Sequence, residues 1–309
     1  MISLKGENFI SLKDFSREEL QYILDLSFDI KKKQKAGEKT PVLKNKVLAM
    51  IFKKASTRTR IAFEVGMYQL GGSSVFLSPQ ESQIGRGEPI EDTARVLSGF
   101  VDGILIRTFD QKEVDDLAKY ASVPVINGLT DLFHPTQVMA DMMTIIEEKG
   151  KLEGINLTYI GDGNNMAHSL LIGGAIMGMN VTIATPECYQ VNTEIKELAE
   201  SLKKDQNTTL KYVNCPLEGA KGADVLYTDV WASMGQEEEA AARKEVFKGF
   251  QINEKVLELA KKDAIVMHCL PAYKGQEITA EIFEKYSQVI FNESENRLHA
   301  HKGILAAIM

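Results

Sequence analysis

Long apolar runs are missing from this chain. None approaches the roughly 20 residues needed to cross a bilayer, and the opening MISLKGENFISLKDF has no apolar core of the kind a signal peptide carries. No membrane partner and a cytoplasmic location are therefore expected. Cysteine is scarce as well: Cys188, Cys215 and Cys269 are odd in number, scattered, and form no C-x-x-C pair. That argues against a disulfide framework and a zinc ribbon, and with 299-HAH-301 too short to count as a ligand set, no metal is expected. Positive charge is not in excess either. With 36 Lys and Arg against 43 Asp and Glu, the net charge is −7 and the pI is near 5.4. A nucleic-acid binder would show a basic stripe, so no nucleic-acid partner is expected and any anion site has to be local. Nothing repeats at a fixed period.

What is present suits a two-domain enzyme. At 309 residues, 44% hydrophobic and 26% charged, the chain has enough material for two ordinary domains. Short apolar runs alternate with amphipathic segments, the pattern of α/β proteins with doubly wound parallel sheets. Strands are expected at 47–52, 74–77, 103–107 and 123–127 in the first half. In the second half they are expected at 155–160, 180–185, 210–213, 224–229 and 264–269. The charged, glycine-containing EEKGKLEG (147–154) marks the boundary, giving domains 1–150 and 151–292. RLHAHKGILAAIM reads as a closing helix that can return to either half.

The strand ends carry an unusual set of residues, and open α/β sheets place their ligands at the carboxyl ends of strands. After VLAMIF comes KKASTRTRIAFE. Ser56 reads as an N-cap, which puts Thr57, Arg58, Thr59 and Arg60 in the first turn of a helix, where cations oppose the helix dipole. Free N–H groups, hydroxyls and two guanidinium groups at a helix start make a phosphate or carboxylate site. The plain alternative is a solvated helix start whose arginines pair with carboxylates elsewhere. GILIR ends on Arg107, another cation. In DLFHPTQ, Pro135 suits the first helical position, so His134 and Gln137 can face the space ahead of that helix; taken alone, His134 reads better as a satisfied structural histidine or cap, and beside two other strand ends that present donors the functional reading becomes the better one.

The second half collects different chemistry. YIGDGNNMAHSLLIG is a strand, a glycine turn and a helix, but Met166 stands where the third glycine of a dinucleotide fingerprint belongs. Asn164 and Asn165 supply neutral amides there. YTDVWASMG offers Asp229, Ser233 and a turn through Met234 and Gly235, and a carboxylate at a strand end needs a cation or N–H partner. EEEAAARKE, with Glu239 and Arg243 at i,i+4, reads as an exposed helix. HCLP ends an apolar run on His268 and a thiol, Cys269. Cations in one half, with amides, a carboxylate and a thiol in the other, suggest an anionic substrate, an amino-bearing substrate and a cleft between the two domains.

STRTR (56–60), HPTQ (134–137), DVWASMG (229–235) and HCLP (268–271), in this order across nearly the whole chain, resemble the ornithine carbamoyltransferases. The first two motifs indicate the wider aspartate and ornithine carbamoyltransferase superfamily; the last two select the ornithine branch. The resemblance implies carbamoyl phosphate and L-ornithine as substrates, no cofactor, a first domain for carbamoyl phosphate to which helix 293–309 returns, and a second for ornithine. It further implies a homotrimer or a multiple of trimers, and a place in arginine biosynthesis or in its catabolic reverse. Ser56, Thr57, Arg58, Thr59, Arg107, His134, Gln137, Cys269, Leu270 and Arg297 look like carbamoyl-phosphate contacts, with Gln83 lent to a neighbouring subunit. Asn165, Asp229, Ser233 and Met234 look like ornithine contacts. Arg107, His134, Cys269 and Asp229 are the expected catalytic set. Around Gln83 the chain departs from the family, GRGEP standing where a His-Lys-Glu-Ser-like continuation is usual, and no contact is carried over to Arg86 or Glu88.

Carbamoyl phosphate brings its own leaving group, so positioning and charge stabilisation suffice for such a transfer. Three other readings compete. A nicotinamide-dependent dehydrogenase would explain the glycine turn. A two-domain anion-binding protein would explain the cations. A carbamoyltransferase acting on putrescine or another amine would explain everything except the residues suited to an α-carboxylate.

Overall fold

The computed structural model describes residues 2–78, 83–233 and 235–309. The chain divides into two compact units, one of Met1–Met143 with Asn296–Met309 and one of Thr144–Glu295. In the first, β1 (Val47–Phe52), β2 (Ser73–Leu77), β3 (Gly103–Arg107) and β4 (Val125–Leu129) form a sheet in the order β2-β1-β3-β4, with every pairing parallel. β1 and β3 lie inside it, which is why VLAMIF and GILIR are apolar on both faces and buried along almost their whole length. β2 is an edge and exposes Ser73 and Val75. The helices are α1 (Arg17–Lys35), α2 (Thr57–Gln69), α3 (Ile90–Ser98), α4 (Gln111–Tyr120) and the start of α5 (Pro135–Lys149). α3 and α4 lay Ala94, Val114 and Leu117 against Ile51, Ile104 and Ile106; each large aliphatic side chain so buried stabilises the unit by about 1.5–3 kcal/mol.

The second unit repeats the plan with five parallel strands, β5 (Asn156–Ile160), β6 (Asn180–Ala184), β7 (Leu210–Val213), β8 (Val225–Thr228) and β9 (Ile265–His268), in the order β7-β6-β5-β8-β9. α6 (Asn165–Met177) is buried at every position after its first. Gly174 lets it approach the sheet, since a Cβ there would stand 2.3 Å from Val181 Cγ2. α7 (Thr193–Ser201), α8 (Pro216–Gly219), α9 (Ala240–Val246), α10 (Glu254–Leu257) and α11 (Ala280–Lys285) follow, and α12 (Ser287–Ile308) closes the chain. α12 begins ahead of the expected residue 293 and its residues from Asn296 onward belong to the first unit.

The fold class read from the sequence holds: two α/β domains, each on a parallel sheet. Eight of the nine expected strands begin within one residue of their observed starts. The exception is the fourth, expected at 123–127 and found at Val125–Leu129. Pro124 has no N–H to give a ladder; its carbonyl accepts from Ile104 N at 2.8 Å and the strand proper starts after it.

Strand order fixes where chemistry can gather. In the first sheet the winding reverses between β1 and β3, and in the second between β5 and β8; crevices outside the carboxyl ends at such reversals are the ligand sites of open α/β sheets. Register aligns the residues there. Phe52 at the end of β1 is level with Arg107, and Thr228 is level with both Ile160 and His268, so Asp229 and Cys269 leave their strands side by side.

Candidate active site

In the first unit the reversal point is fronted by the N-terminus of α2. Ser56 caps it, its hydroxyl accepting from Thr59 N at 3.2 Å, and the first-turn amides have no partner within the helix. Arg58 is half-buried at this helix start. Arg60, counted with it as a second guanidinium on sequence grounds, is turned to other work: it donates to Glu64 Oε1 at 3.0 Å and lies 3.6 Å over the Phe76 ring. Arg107 and Arg297 are both buried, and Arg297 Nη2 donates to the Thr59 hydroxyl at 2.5 Å. Lys54, also buried, pairs with Asp131 and sits 4.2 Å over the Phe109 ring.

His134 closes the loop before Pro135, its carbonyl accepting from Gln137 N at 3.2 Å as α5 begins. Burial, then the charges of Arg297, Arg107 and Arg58, hold its imidazole well below the usual histidine range. It is therefore neutral at physiological pH and offers one N–H and one lone pair. Gln137 lies within the first turn of α5, its Nε2 donating to Asp141 Oδ1 at 2.8 Å. Gln83 is exposed in a short 3-10 turn, Gln83–Arg86.

The second unit gathers around Asp229. Its Oδ1 accepts from Val230 N at 2.8 Å and from Cys269 Sγ at 3.0 Å, and Asn164 Nδ2 approaches Oδ2 at 3.4 Å. Asn164 also caps α6, and Asn165 is the first helical residue, half-buried. The Tyr159 hydroxyl donates to Asn164 Oδ1 at 3.4 Å, and burial with Asp229 nearby keeps that phenol well above its usual range. Behind Cys269, His268 is wholly enclosed. Its Nδ1 accepts from Leu270 N at 2.9 Å, so Nε2 carries the proton and donates to Glu277 at 3.1 Å. Its own N–H donates to Glu293 Oε2 at 2.9 Å, and Tyr227 donates to Glu293 Oε1 at 3.1 Å.

Ligand atoms of Asp229, His268 and Cys269 lie within 4.8 Å of one another, a set that borderline metals accept. Both ring nitrogens of His268 are engaged, however, and the thiol points at the carboxylate. Metal binding would have to break hydrogen bonds already made.

Ser233 N donates to Gln236 Oε1 at 3.0 Å, shaping the turn after Trp231; Met234 lies outside the described residues. The helix read as merely exposed is the main correction. Arg243 on α9 is buried, its Nη1 donating to Asp162 Oδ2 at 2.7 Å and to Trp231 O at 3.1 Å, with its guanidinium 4.6 Å over Tyr189. It ties the DVWASMG segment to the GDGNN turn. Glu277, Glu293 and Asp141 were likewise passed over; an acidic residue in an otherwise apolar helical pattern is the signal that marks Asp141.

Sequence profiles of two families match end to end. Residues 7–147 match the carbamoyl-P binding domain of aspartate/ornithine carbamoyltransferase and 153–308 match its Asp/Orn binding domain. The ornithine carbamoyltransferase of Oceanobacillus iheyensis is 52% identical over 99% of this chain and 95% of its own length. That of Thermococcus kodakarensis is 51% identical over 100% and 98%. The solved ornithine carbamoyltransferase of Pyrococcus furiosus superposes with a TM-score of 0.96 at 48% identity, covering 100% of this chain and 99% of that one. The strand-end chemistry, the two matched domains and these full-length likenesses agree, and the chain belongs to the aspartate/ornithine carbamoyltransferase family.

Proposed function

We propose that this protein transfers the carbamoyl group of carbamoyl phosphate to the δ-amine of L-ornithine, giving L-citrulline and phosphate. The observation that carries the reading is the contrast between the two strand-reversal points: a helix N-terminus with arginines and a neutral histidine in one unit, a thiol hydrogen-bonded to an amide-supported carboxylate in the other. Ser56, Thr57, Arg58 and Thr59 hold the phosphate. Thr59, Arg107 and the neutral His134 donate to the carbonyl oxygen as it gains charge, the role of an oxyanion hole. Gln137, Arg297 and the backbone at Cys269 and Leu270 hold the carbamoyl group. Asp229 pairs with the α-ammonium of ornithine, while Asn165, Ser233 and Met234 bind its α-carboxylate end; Cys269 lies against the attacking amine.

In the reaction the neutral δ-nitrogen bonds to the carbonyl carbon, the bond from carbon to the bridging oxygen breaks, and the departing phosphate is basic enough to take the proton the new amide sheds. Arg58 and the α2 amides stabilise that leaving group. Cytoplasmic arginine biosynthesis is the proposed setting; among the described residues no helix is long and apolar enough to cross a membrane. A homotrimer in which Gln83 serves the neighbouring subunit is part of the proposal. It is supported by two pairs of exposed apolar side chains on the first unit, Ile61 with Tyr68 and Val96 with Phe100. The test is citrulline formation from carbamoyl phosphate with ornithine, putrescine, lysine and aspartate offered separately. Turnover confined to ornithine is expected; a preference for putrescine, or no turnover with any amine, refutes the assignment.

A further inference from the structure

Gln137 and Asp141 sit one turn apart on α5, both buried, and the bond between them runs from Gln137 Nε2 to Asp141 Oδ1 at 2.8 Å. The two ends of a glutamine amide are nearly the same size, so packing alone does not choose which end points where. A carboxylate does choose, because it accepts hydrogen bonds. With the NH2 end committed to Asp141, the end Gln137 can turn to a ligand is its carbonyl oxygen. We propose that Asp141 is a positioning residue for substrate selectivity: it holds the Gln137 amide so that a ligand must present an N–H there, which a carbamoyl group does and an acyl group does not.

This rests on the reading of Gln137 as a contact to the carbamoyl nitrogen. An oxygen acceptor gains a hydrogen bond from –NH2 and meets a methyl group with nothing to share, leaving the acceptor desolvated and unsatisfied. An amide turned over would instead present N–H to the –NH2 of the substrate, donor against donor. Asparagine at position 141 keeps the shape of the aspartate but can pair with either end of the Gln137 amide, so it removes the choice while leaving the packing.

Two stable ligands separate these cases. Phosphonoacetamide and 2-oxopropylphosphonate share the phosphonate and the carbonyl and differ only in –NH2 against –CH3. Calorimetry on the wild-type protein should show the amide bound more tightly by about tenfold, the worth of one such hydrogen bond. In Asp141→Asn that ratio should fall to about two- or threefold, with the affinity for inorganic phosphate unchanged. A residue of purely structural importance would weaken all three ligands together and leave the ratio standing, and that outcome overturns the proposal. A wild-type protein that binds phosphate yet treats the two phosphonates alike removes Gln137 from the carbamoyl contact, which is failure of the underlying reading and of this one with it. Should Asp141→Asn not fold, nitrogen spectra of wild-type protein labelled at glutamine side chains answer the same question. The Gln137 NH2 protons should stay bonded to Asp141 when phosphonoacetamide binds; protons that move onto the ligand refute the assignment.

Discussion

Replacing Arg243 by methionine keeps the stem of the side chain and removes the guanidinium from four partners at once, Asp162, Trp231 O, Glu239 and the Tyr189 ring. The ion pair to Asp162 at 2.7 Å is nearly out of solvent, with side-chain exposures of 7% and 10%, so it is not the kind of surface pair that contributes little. Breaking a buried pair by removing one member costs about 3–5 kcal/mol, because the other charge is stranded. Asp162 has a way out, since burial, working against the Arg243 bond, already holds its carboxyl above the usual aspartate range. Taking up a proton costs about 1.4 kcal/mol for each pH unit between the solution and its folded pKa. The loss should therefore be smaller in acid than in base. An aspartate raised in the fold is at its most favourable below its unfolded pKa and loses stability as pH rises through the folded value; removing Arg243 raises it further and widens that window. The bond to Trp231 O at 3.1 Å carries the functional part. Without it the segment leading to Ser233 is no longer tied to the GDGNN turn. Arg243→Met should lower the melting temperature more at pH 8 than at pH 5 and raise the KM for ornithine about tenfold, with the KM for carbamoyl phosphate unchanged. Equal loss at both pH values, or an unchanged KM for ornithine, contradicts the roles given to the pair and to the Trp231 bond.

Acidification acts on the buried histidines: His301 stacks on Phe63 at 4.0 Å between ring centres, and burial with Arg297 nearby holds it well below the usual histidine range. Such a histidine stabilises the fold above its unfolded pKa of about 6.5 and that stability is lost as pH falls below it, so the melting temperature should drop between pH 7 and pH 5, and His301→Phe should flatten the drop; an equal slope in the variant contradicts this. Inorganic phosphate alone should raise the melting temperature while ornithine alone should do little, and ornithine should add a further rise once phosphate is present, by reciprocal coupling; equal shifts from either ligand alone would count against ordered binding. Arg58→Ala and Gln83→Ala chains, each impaired alone, should recover about a quarter of wild-type activity when unfolded and reassembled together in equal amounts, because in a cyclic trimer that fraction of sites draws an intact helix start and an intact Gln83 from different chains; a mixture that stays inactive places Gln83 in its own subunit's site.

The sheets were legible because their buried strands write an uninterrupted apolar run into the sequence, at VLAMIF and GILIR inside the first sheet and at AIVMHC, whose strand is covered although it lies at the edge of the second. The strand ends were legible for a related reason: STRTR, HPTQ and HCLP break local rules, with cations at a helix start and a thiol before a proline, and such breaks gather at functional sites. Partners distant in sequence were not. Arg243 has Glu239 four residues before it, a surface spacing, and the i,i+4 bond does form at 3.1 Å, but its buried partner Asp162 is far upstream and nothing local announces it. Glu277 and Glu293 behave alike, each supporting His268 from a different segment. Arg60 is a different lapse. Its spacing to Glu64 was visible and argued for a helix-face pair, which is where the residue is found.

The two reversal points are built to opposite electrostatic designs, and the difference bears on order of binding. In the first unit Arg58, Arg107 and Arg297 surround a histidine that is kept neutral by burial and by those same charges, and a helix adds the partial positive charge of its N-terminus. Like charges brought together raise the energy of the unliganded fold, and a doubly charged anion lowers it, so binding there is favoured without any other ligand. A ligand present at 100 times its dissociation constant stabilises the fold by about 2.7 kcal/mol. In the second unit the carboxylate of Asp229 already receives Val230 N–H, the Cys269 thiol and the Asn164 amide. An ammonium arriving there must compete with bonds already formed, and gains only the difference. The anion therefore has reason to bind first.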